Sequence, residues 1–404
     1  MKELKSHKLK FSPYLEKLYQ SDKPLIIYKV KDGYNLYTDF SKKIVLTNKN
    51  INKFFNIFSN KKYKKDTDLY IGFFGYEILC SLLKIKIKNQ KKLNFYKGIF
   101  YKPETIIKIR KNIKILSSKK NHVFKNFFNK TQILGPFKLN ISYKKYKKIF
   151  DFFSMKIKHG ETYQIKICTK YKNRSQINPV NFFWRLMKIN SSPESFMIRD
   201  KDFSIVSCSP ETLIDKKRNN ITSKPIAGTL RKNKKINKLK ALNFFRNNSK
   251  ETKEHNMIVD MERSDLSRIC KSGTVKILKQ KYVEEYKHLF HYVTTIQGKL
   301  KSQTSIRDIV KSMMPGGSVI GCPKIRTLEL LNNQEIEDRN IFTGSFGYIK
   351  FNQDMRFNII IRSILNYKNI SEISAASGVV LDSSSKKEFN ENFIKAKSLL
   401  ELYK

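Results

Sequence analysis

Cysteine is scarce in this chain. Five are present among 404 residues (Cys80, Cys168, Cys208, Cys270 and Cys322), and no two form a CxxC pair. An odd count without paired spacing argues against a disulfide framework or a structural zinc site and fits a reducing cytoplasm. The six histidines show no HExxH spacing. No GxGxxG follows a strand-like run and no Walker loop occurs, so no nucleotide cofactor is signalled. No stretch approaches the roughly 20 apolar residues that span a bilayer. The N-terminal run MKELKSHKLKFSPYLEKLYQ lacks an apolar h-region and a small-residue cleavage site, so no secretory signal is expected. Acidic residues are also few: 34 against 82 Lys and Arg, a net charge of +48.

What is present is enough for a large core. Hydrophobic residues make up 40% and aromatics 12%, which excludes collagen-like and disordered classes. The charge invites a nucleic-acid reading, since clustered Lys and Arg neutralise phosphates. A basic nucleic-acid-binding protein is therefore kept as a distant alternative. Against it, the lysines are spread along the chain, and no Arg-rich helix, zinc finger or aromatic RNA-binding motif accompanies them. Abundant Lys, Asn, Ile, Phe and Tyr look like the codon bias of an AT-rich genome. The charge can still attract an anionic substrate.

Read in order, PLIIYKV (24–30) is a strand, and LYIGFFGYEILC (69–80) a strand followed by a helix. TIIKIRKNIKIL is β-like and leads to a lysine-rich loop around Ser117–Asn121; Gly135–Asn140 is a plausible boundary. YKKYKKIFDFFSMKIKHG places Tyr146, Ile149, Phe152, Phe153 and Ile157 at helical spacing, with Gly160 as C-cap. After a further strand, YQIKICTKY, short strands alternate with a long helical stretch at about 236–270, and a final helix covers about 385–402. Many strands with helices before, between and after them argue an α+β fold rather than a Rossmann-like alternation.

Two carboxylate pairs stand out. Glu251 and Glu254 are three apart, as are Glu388 and Glu391, and on helices each pair shares one face. Four such carboxylates can hold a hard cation such as Mg2+; the alternative is ordinary solvated helix charge. PGGSVIGCPKIR (315–326) combines Gly316, Gly317 and Gly321 with Lys324 and Arg326, which fits an anion cradle or a tight hairpin. Arg362, in the apolar, strand-like NIIIRSIL, needs a carboxylate or phosphate partner, whether substrate or salt bridge. His291 is either a general acid/base or a satisfied structural histidine.

Taken together, these motifs resemble the chorismate-utilising enzymes, specifically the component I synthases that aminate chorismate. The resemblance runs through HGETYQIKIC, SCSPETLI, SKPIAGTL, KETKEHNMIVDMERSDLSRIC, HLFHYVTTIQGKL, PGGSVIGCPKIRTLELL, FTGSFGYIKF, NIIIRS and SGVVLDSSSKKEFNENFIKAKSLL, covering nearly all of 142–400. IGFFGYE and YKPETIIKI extend it more weakly toward the N-terminus. It implies an anthranilate/aminodeoxychorismate synthase-like fold, a two-sheet β core flanked by helices, with a 1–135 N-terminal region packed on a 136–404 chorismate-binding domain. It implies Mg2+ on Glu251, Glu254, Glu388 and Glu391, gripping the ring carboxylate. It puts Tyr348 and Arg362 on the enolpyruvyl carboxylate, and Gly228 and Thr229 in a substrate-contacting turn. Gly378 would lie in a carboxylate-binding glycine strip. Lys324 would be the lysine of a GAPK-type turn, and His291 would sit near the departing C4 hydroxyl.

Gln164 stands where water-adding relatives carry a lysine base, so ammonia becomes the expected nucleophile. No glutaminase elbow is present, so a separate glutamine amidotransferase subunit is implied as partner. Ala227 stands where many aminodeoxychorismate synthases carry a nucleophilic lysine, which favours anthranilate synthase. PGGSVIGCPK, FTGSFGYI and the absence of an LLES-type element favour aminodeoxychorismate synthase component I, the preferred expectation. Thr252, Ser264, Ala376 and Ser377 depart from the usual motifs.

Overall fold

The computed structural model describes residues 13–59, 62–88, 93–117, 131–232, 236–286 and 289–404. The lysine-rich loop expected near Ser117–Asn121 falls mostly outside them. Within them, one long antiparallel ladder runs from strand Gln164–Gln176 through Ile370–Val379, Ser363–Tyr367, Phe203–Ser209, Glu194–Arg199, Leu25–Val30 and Gly33–Val45 to Gly98–Ile109. It continues through Leu69–Phe74, Ser345–Lys350, Met355–Asn358, Thr212–Lys217 and Asn220–Lys224 to Leu289–Lys299. There Ile226–Arg231 and Lys276–Glu285 both pair with the last strand. The ladder crosses the boundary expected near residue 135 at two places, because 25–30 pairs with 194–199 and 69–74 with 345–350.

Side-chain alternation explains why this ladder folds into two layers. In Leu25–Val30, Leu25 and Ile27 join one apolar cluster while Ile26 and Tyr28 join another. In Leu69–Phe74, Ile71 and Phe73 join that second cluster while Tyr70 and Phe74 face a third. A period of two sends successive residues to opposite faces. The shared cluster is therefore the filling between the two halves. Phe196 from one half stacks on Phe346 from the other, with ring centroids 3.8 Å apart. The outer faces are covered by helices: Pro179–Ile189 and Ser385–Leu400 on one side, Ile51–Asn56 and Ile306–Met313 on the other. This is the α+β, two-layer core flanked by helices that the motifs imply.

The helices follow their local signals. Tyr143–Lys158 buries Tyr146, Phe150, Phe153 and Ile157, and Gly160 beyond it adopts φ +73°. The stretch expected as one helix at 236–270 is two, Lys238–Asn247 and Ser249–Ile269. Asn248 between them is extended, and its side chain accepts from the Glu251 amide at 3.2 Å, capping the second helix. Among the described residues no helix is long and apolar enough to cross a membrane.

Candidate active site

The four glutamates singled out in sequence all sit in the first two turns of two helices. Glu251 and Glu254 begin Ser249–Ile269; Glu388 and Glu391 begin Ser385–Leu400. A helix start favours negative charge, so these positions hold carboxylates at low cost. Strand 164–176 reaches the same place. Gln164 Nε2 donates to Glu254 Oε1 at 3.0 Å and Lys166 Nζ donates to the same oxygen at 2.8 Å. The lysine holds the Glu254 carboxyl down at about 2. Burial opposes the Lys166 charge, but Glu254, then Glu391 and Glu388, outweigh it and raise its pKa. Glu388 is buried and accepts from Ser383 Oγ at 3.1 Å. Glu391 pairs with Lys395 at 2.7 Å, and that amine also donates to the Ala376 carbonyl at 2.9 Å.

Two glycines let these groups approach. Gly378 is in register with Lys166. A Cβ there would lie 2.6 Å from Lys166 Nζ and 2.7 Å from Gln164 Nε2. Gly228 sits at a ladder irregularity between Ala227 and Thr229 with φ +81°, a region L side chains avoid. A Cβ on it would meet the Phe245 ring at 2.8 Å and Glu251 Oε2 at 2.9 Å. The Thr229 backbone pairs with His291, but its side chain lies outside the described residues.

Arg362 is not within a strand, as its apolar neighbours suggest. It lies in the break between Met355–Asn358 and Ser363–Tyr367 with φ +51°. Burial pushes its guanidinium below the usual arginine value, and the charges that offset this come from Cys208 and Glu211. Among the described residues no carboxylate lies within ion-pair distance of it. His291 is fully buried, and burial followed by the Arg362 charge pushes its pKa down to about 3. The ring is therefore neutral at physiological pH, hydrogen-bonded to the Gly228 backbone. An imidazolium acid is not its resting form. Glu211 nearby accepts from Ser318 Oγ at 2.8 Å, and burial pushes its carboxyl up to about 7.

Two expected residues are placed elsewhere. Tyr348 shares the inner face of its strand with Phe346, where burial, then Tyr37, raises its pKa, and Arg356, Asp215 and Glu194 are its charged neighbours. It does not accompany Arg362. Lys324 is buried, ion-paired to Asp265 at 2.5 Å and donating to the Ser312 carbonyl at 2.7 Å, so its amine is spent on structure. The glycines before it form no open cradle. A Cβ on Gly317 would strike Met261 Sδ at 2.1 Å, and one on Gly321 the Gln164 carbonyl at 2.0 Å. They are close-packing glycines that seat the turn on the 249–269 helix and the 164–176 strand. Arg326 is exposed and paired with Glu161 and Glu329.

Sequence reading missed Lys166, Lys395 and Glu211. For Lys166 a signal existed: it follows Gln164 by two residues in a strand, so the two share a face. As a donor set, four glutamates suit a hard cation. Here lysine ammonium groups take that place. Glu254 is closed on Lys166 and Glu391 on Lys395, and among the described residues no three metal-ligating side chains group around one point.

Comparison with known proteins gives this site a setting. Over 241 residues the chain is 35% identical to aminodeoxychorismate synthase component 1 of Bacillus subtilis (strain 168), 59% of this chain and 51% of that protein. Over 245 residues it is 32% identical to anthranilate synthase component 1 of Aquifex aeolicus (strain VF5), 60% of this chain and 50% of that one. The matches thus span about half the length of these curated relatives. The fold is shared with anthranilate synthase component I from Streptococcus pneumoniae TIGR4, with a TM-score of 0.75 at 23% identity, covering 94% of this chain and 91% of that one. It is also shared with MenF, the menaquinone-specific isochorismate synthase from Escherichia coli, with a TM-score of 0.76 at 14% identity, covering 98% and 92%. The model of the chorismate binding enzyme family matches residues 18–401. With that match spanning both layers and both carboxylate-bearing helices, the chain belongs to the chorismate-binding enzyme family.

Proposed function

We propose that this chain aminates chorismate at C4, as an aminodeoxychorismate synthase component I supplied with ammonia by a separate glutamine amidotransferase subunit. The observation that carries an anionic substrate is Arg362, a half-buried guanidinium beside neutral His291 with no carboxylate partner among the described residues. Such a group gains most from a bidentate carboxylate, and chorismate carries two. The Gly228 backbone adjoins His291, Gly378 and Gln164 adjoin Lys166 and Glu254, and Tyr348 and Lys324 are left out of the substrate set.

Gln164 supports ammonia over water. Its Nε2 is committed to Glu254, and its Oε1 is buried without a hydrogen-bond partner among the described residues. An amide oxygen can accept from an incoming N–H but cannot take a proton. Ammonia already carries a nucleophilic lone pair, whereas water needs a base. In this reading Arg362 fixes the enolpyruvyl carboxylate, and neutral His291, whose single N–H is given to the Gly228 backbone, orients the C4 hydroxyl by accepting from it at the other ring nitrogen. The C–O bond at C4 breaks as the C–N bond forms, and the departing hydroxide takes a proton from the new ammonium and leaves as water. Glu251, Glu254, Glu388 and Glu391 would hold Mg2+ once Lys166 and Lys395 leave Glu254 and Glu391, and the cation would polarise the ring carboxylate of the substrate.

Ala227 favours a second reading, amination at C2 followed by loss of pyruvate, as in anthranilate synthase. One incubation separates them: the chain with chorismate, Mg2+ and high ammonium at alkaline pH. Para-aminobenzoate formed only after adding an aminodeoxychorismate lyase supports C4 amination. Anthranilate fluorescence growing without the lyase overturns it.

A further inference from the structure

We infer that Lys166 is an internal counter-cation of the carboxylate cluster, standing where a divalent metal has to bind, so that metal entry requires its amine to withdraw. This rests on the reading that the cluster takes Mg2+. Lys166 is buried at 7% exposure, and its Nζ lies 2.8 Å from Glu254 Oε1 within the field of Glu388 and Glu391. Gly378 opposite it has no side chain, and that gap is the space the amine fills. Lys395, the other lysine nearby, makes an i,i+4 pair with Glu391 at 37% exposure, so water screens that pair.

The two cations are mutually exclusive. An ammonium donates hydrogen bonds and leaves the carboxylates at hydrogen-bond distances. Mg2+ demands oxygens at about 2.0–2.1 Å in an octahedron. Both cannot use Glu254 Oε1 at once, and at low local dielectric their repulsion is strong. The Lys166 backbone is fixed in the ladder, and Arg339 Nη2 donates to its carbonyl at 2.9 Å, so only the side chain can move. Metal binding is therefore weaker than four glutamates alone would give, and substrate that helps to expel the amine strengthens it.

The test is Mn2+ binding followed by the electron paramagnetic resonance of free Mn2+, on the full chain without chorismate. Lys166→Met should bind Mn2+ at least tenfold more tightly than the wild type. Lys166→Arg, which keeps the charge, should stay within about threefold of it. Glu254→Gln added to Lys166→Met should remove the gain. Lys166→Gln serves in the same role if the methionine variant melts early. Equal affinity in wild type and Lys166→Met, or equal gains in the Met and Arg variants, overturns the inference. Should no variant bind Mn2+ at millimolar concentration while the wild type turns over chorismate in EDTA, the metal reading itself falls. If metal binds tightly to the wild type, only the counter-cation role falls.

Discussion

Lys166 and Gly378 face each other across two antiparallel strands, and the lysine amine lies 2.6 Å from where a glycine Cβ would be. The atoms in the way are the far ends of two flexible side chains, Lys166 Nζ and Gln164 Nε2. Gly378→Ala should therefore cost little stability, below about 1 kcal/mol, while turning both side chains off Glu254. The expected outcome is at least a tenfold change in kcat/KM for chorismate with a nearly unchanged melting temperature. A large loss of stability with normal kinetics of the surviving protein would contradict it.

Arg362 offers the converse case. Its guanidinium makes no ion pair among the described residues, so Arg362→Gln should leave thermal stability unchanged or raise it. Losing a charged donor to a substrate carboxylate should lower kcat/KM by about 10²–10³-fold. Melting curves and steady-state kinetics on the same preparation read both sides.

Lys324 and Asp265 form a buried pair. Asp265→Asn leaves an unpaired buried ammonium and should destabilise by about 3–5 kcal/mol, seen as a lower urea midpoint at unchanged slope. Replacing both partners with apolar residues should recover most of the loss. If Lys324 instead acted on substrate, the double variant would be stable but inactive.

Glu262 sets a pH dependence of stability. Burial, then the Asp265 charge, pushes its carboxyl up to about 8 from the ordinary 4.5. A raised folded-state pKa means that the folded chain holds a proton the unfolded chain releases. Its stabilising contribution is complete below about pH 4.5 and disappears as pH rises through about 8. Wild-type stability should fall across that window, and Glu262→Gln, which mimics the neutral form, should flatten the fall. Denaturation midpoints at several pH values decide it.

His291, pushed down to about 3, should contribute no inflection near its ordinary pKa of 6.5 to the pH profile of kcat/KM. His291→Gln should lower the rate without changing the shape of that profile between pH 5 and 8. A limb near 6.5 that disappears in the variant would show that the imidazolium does take part.

Much of the site was legible because its parts are local. The two Glu pairs need only helical spacing, and Asn248 and the glycine turns carry their own conformational reasons. Gln164 lies in an apolar, alternating run that reads as a strand. What was misread depended on distant neighbours. Tyr348 and Arg362 lie in one continuous stretch of sequence, yet alternation sends the tyrosine to the sheet interface, where Phe346 also points. Lys324 follows a glycine-rich turn and reads as an anion ligand until Asp265 is placed beside it. Nothing near position 324 announces that partner.

By itself the sequence determined the family, the α+β architecture and the acidic positions, because motif order, two- and 3.6-residue periods and caps are properties of short segments. The tertiary structure alone decided which cation meets which carboxylate. Lys166 reaches Glu254, 88 positions away, through sheet register and the angle of a helix on a strand. Those are set by the packing of the whole core. The same packing leaves Arg362 beside neutral His291 and turns Lys324 inward onto Asp265, so the site's charges are distributed by burial and register rather than by local spacing.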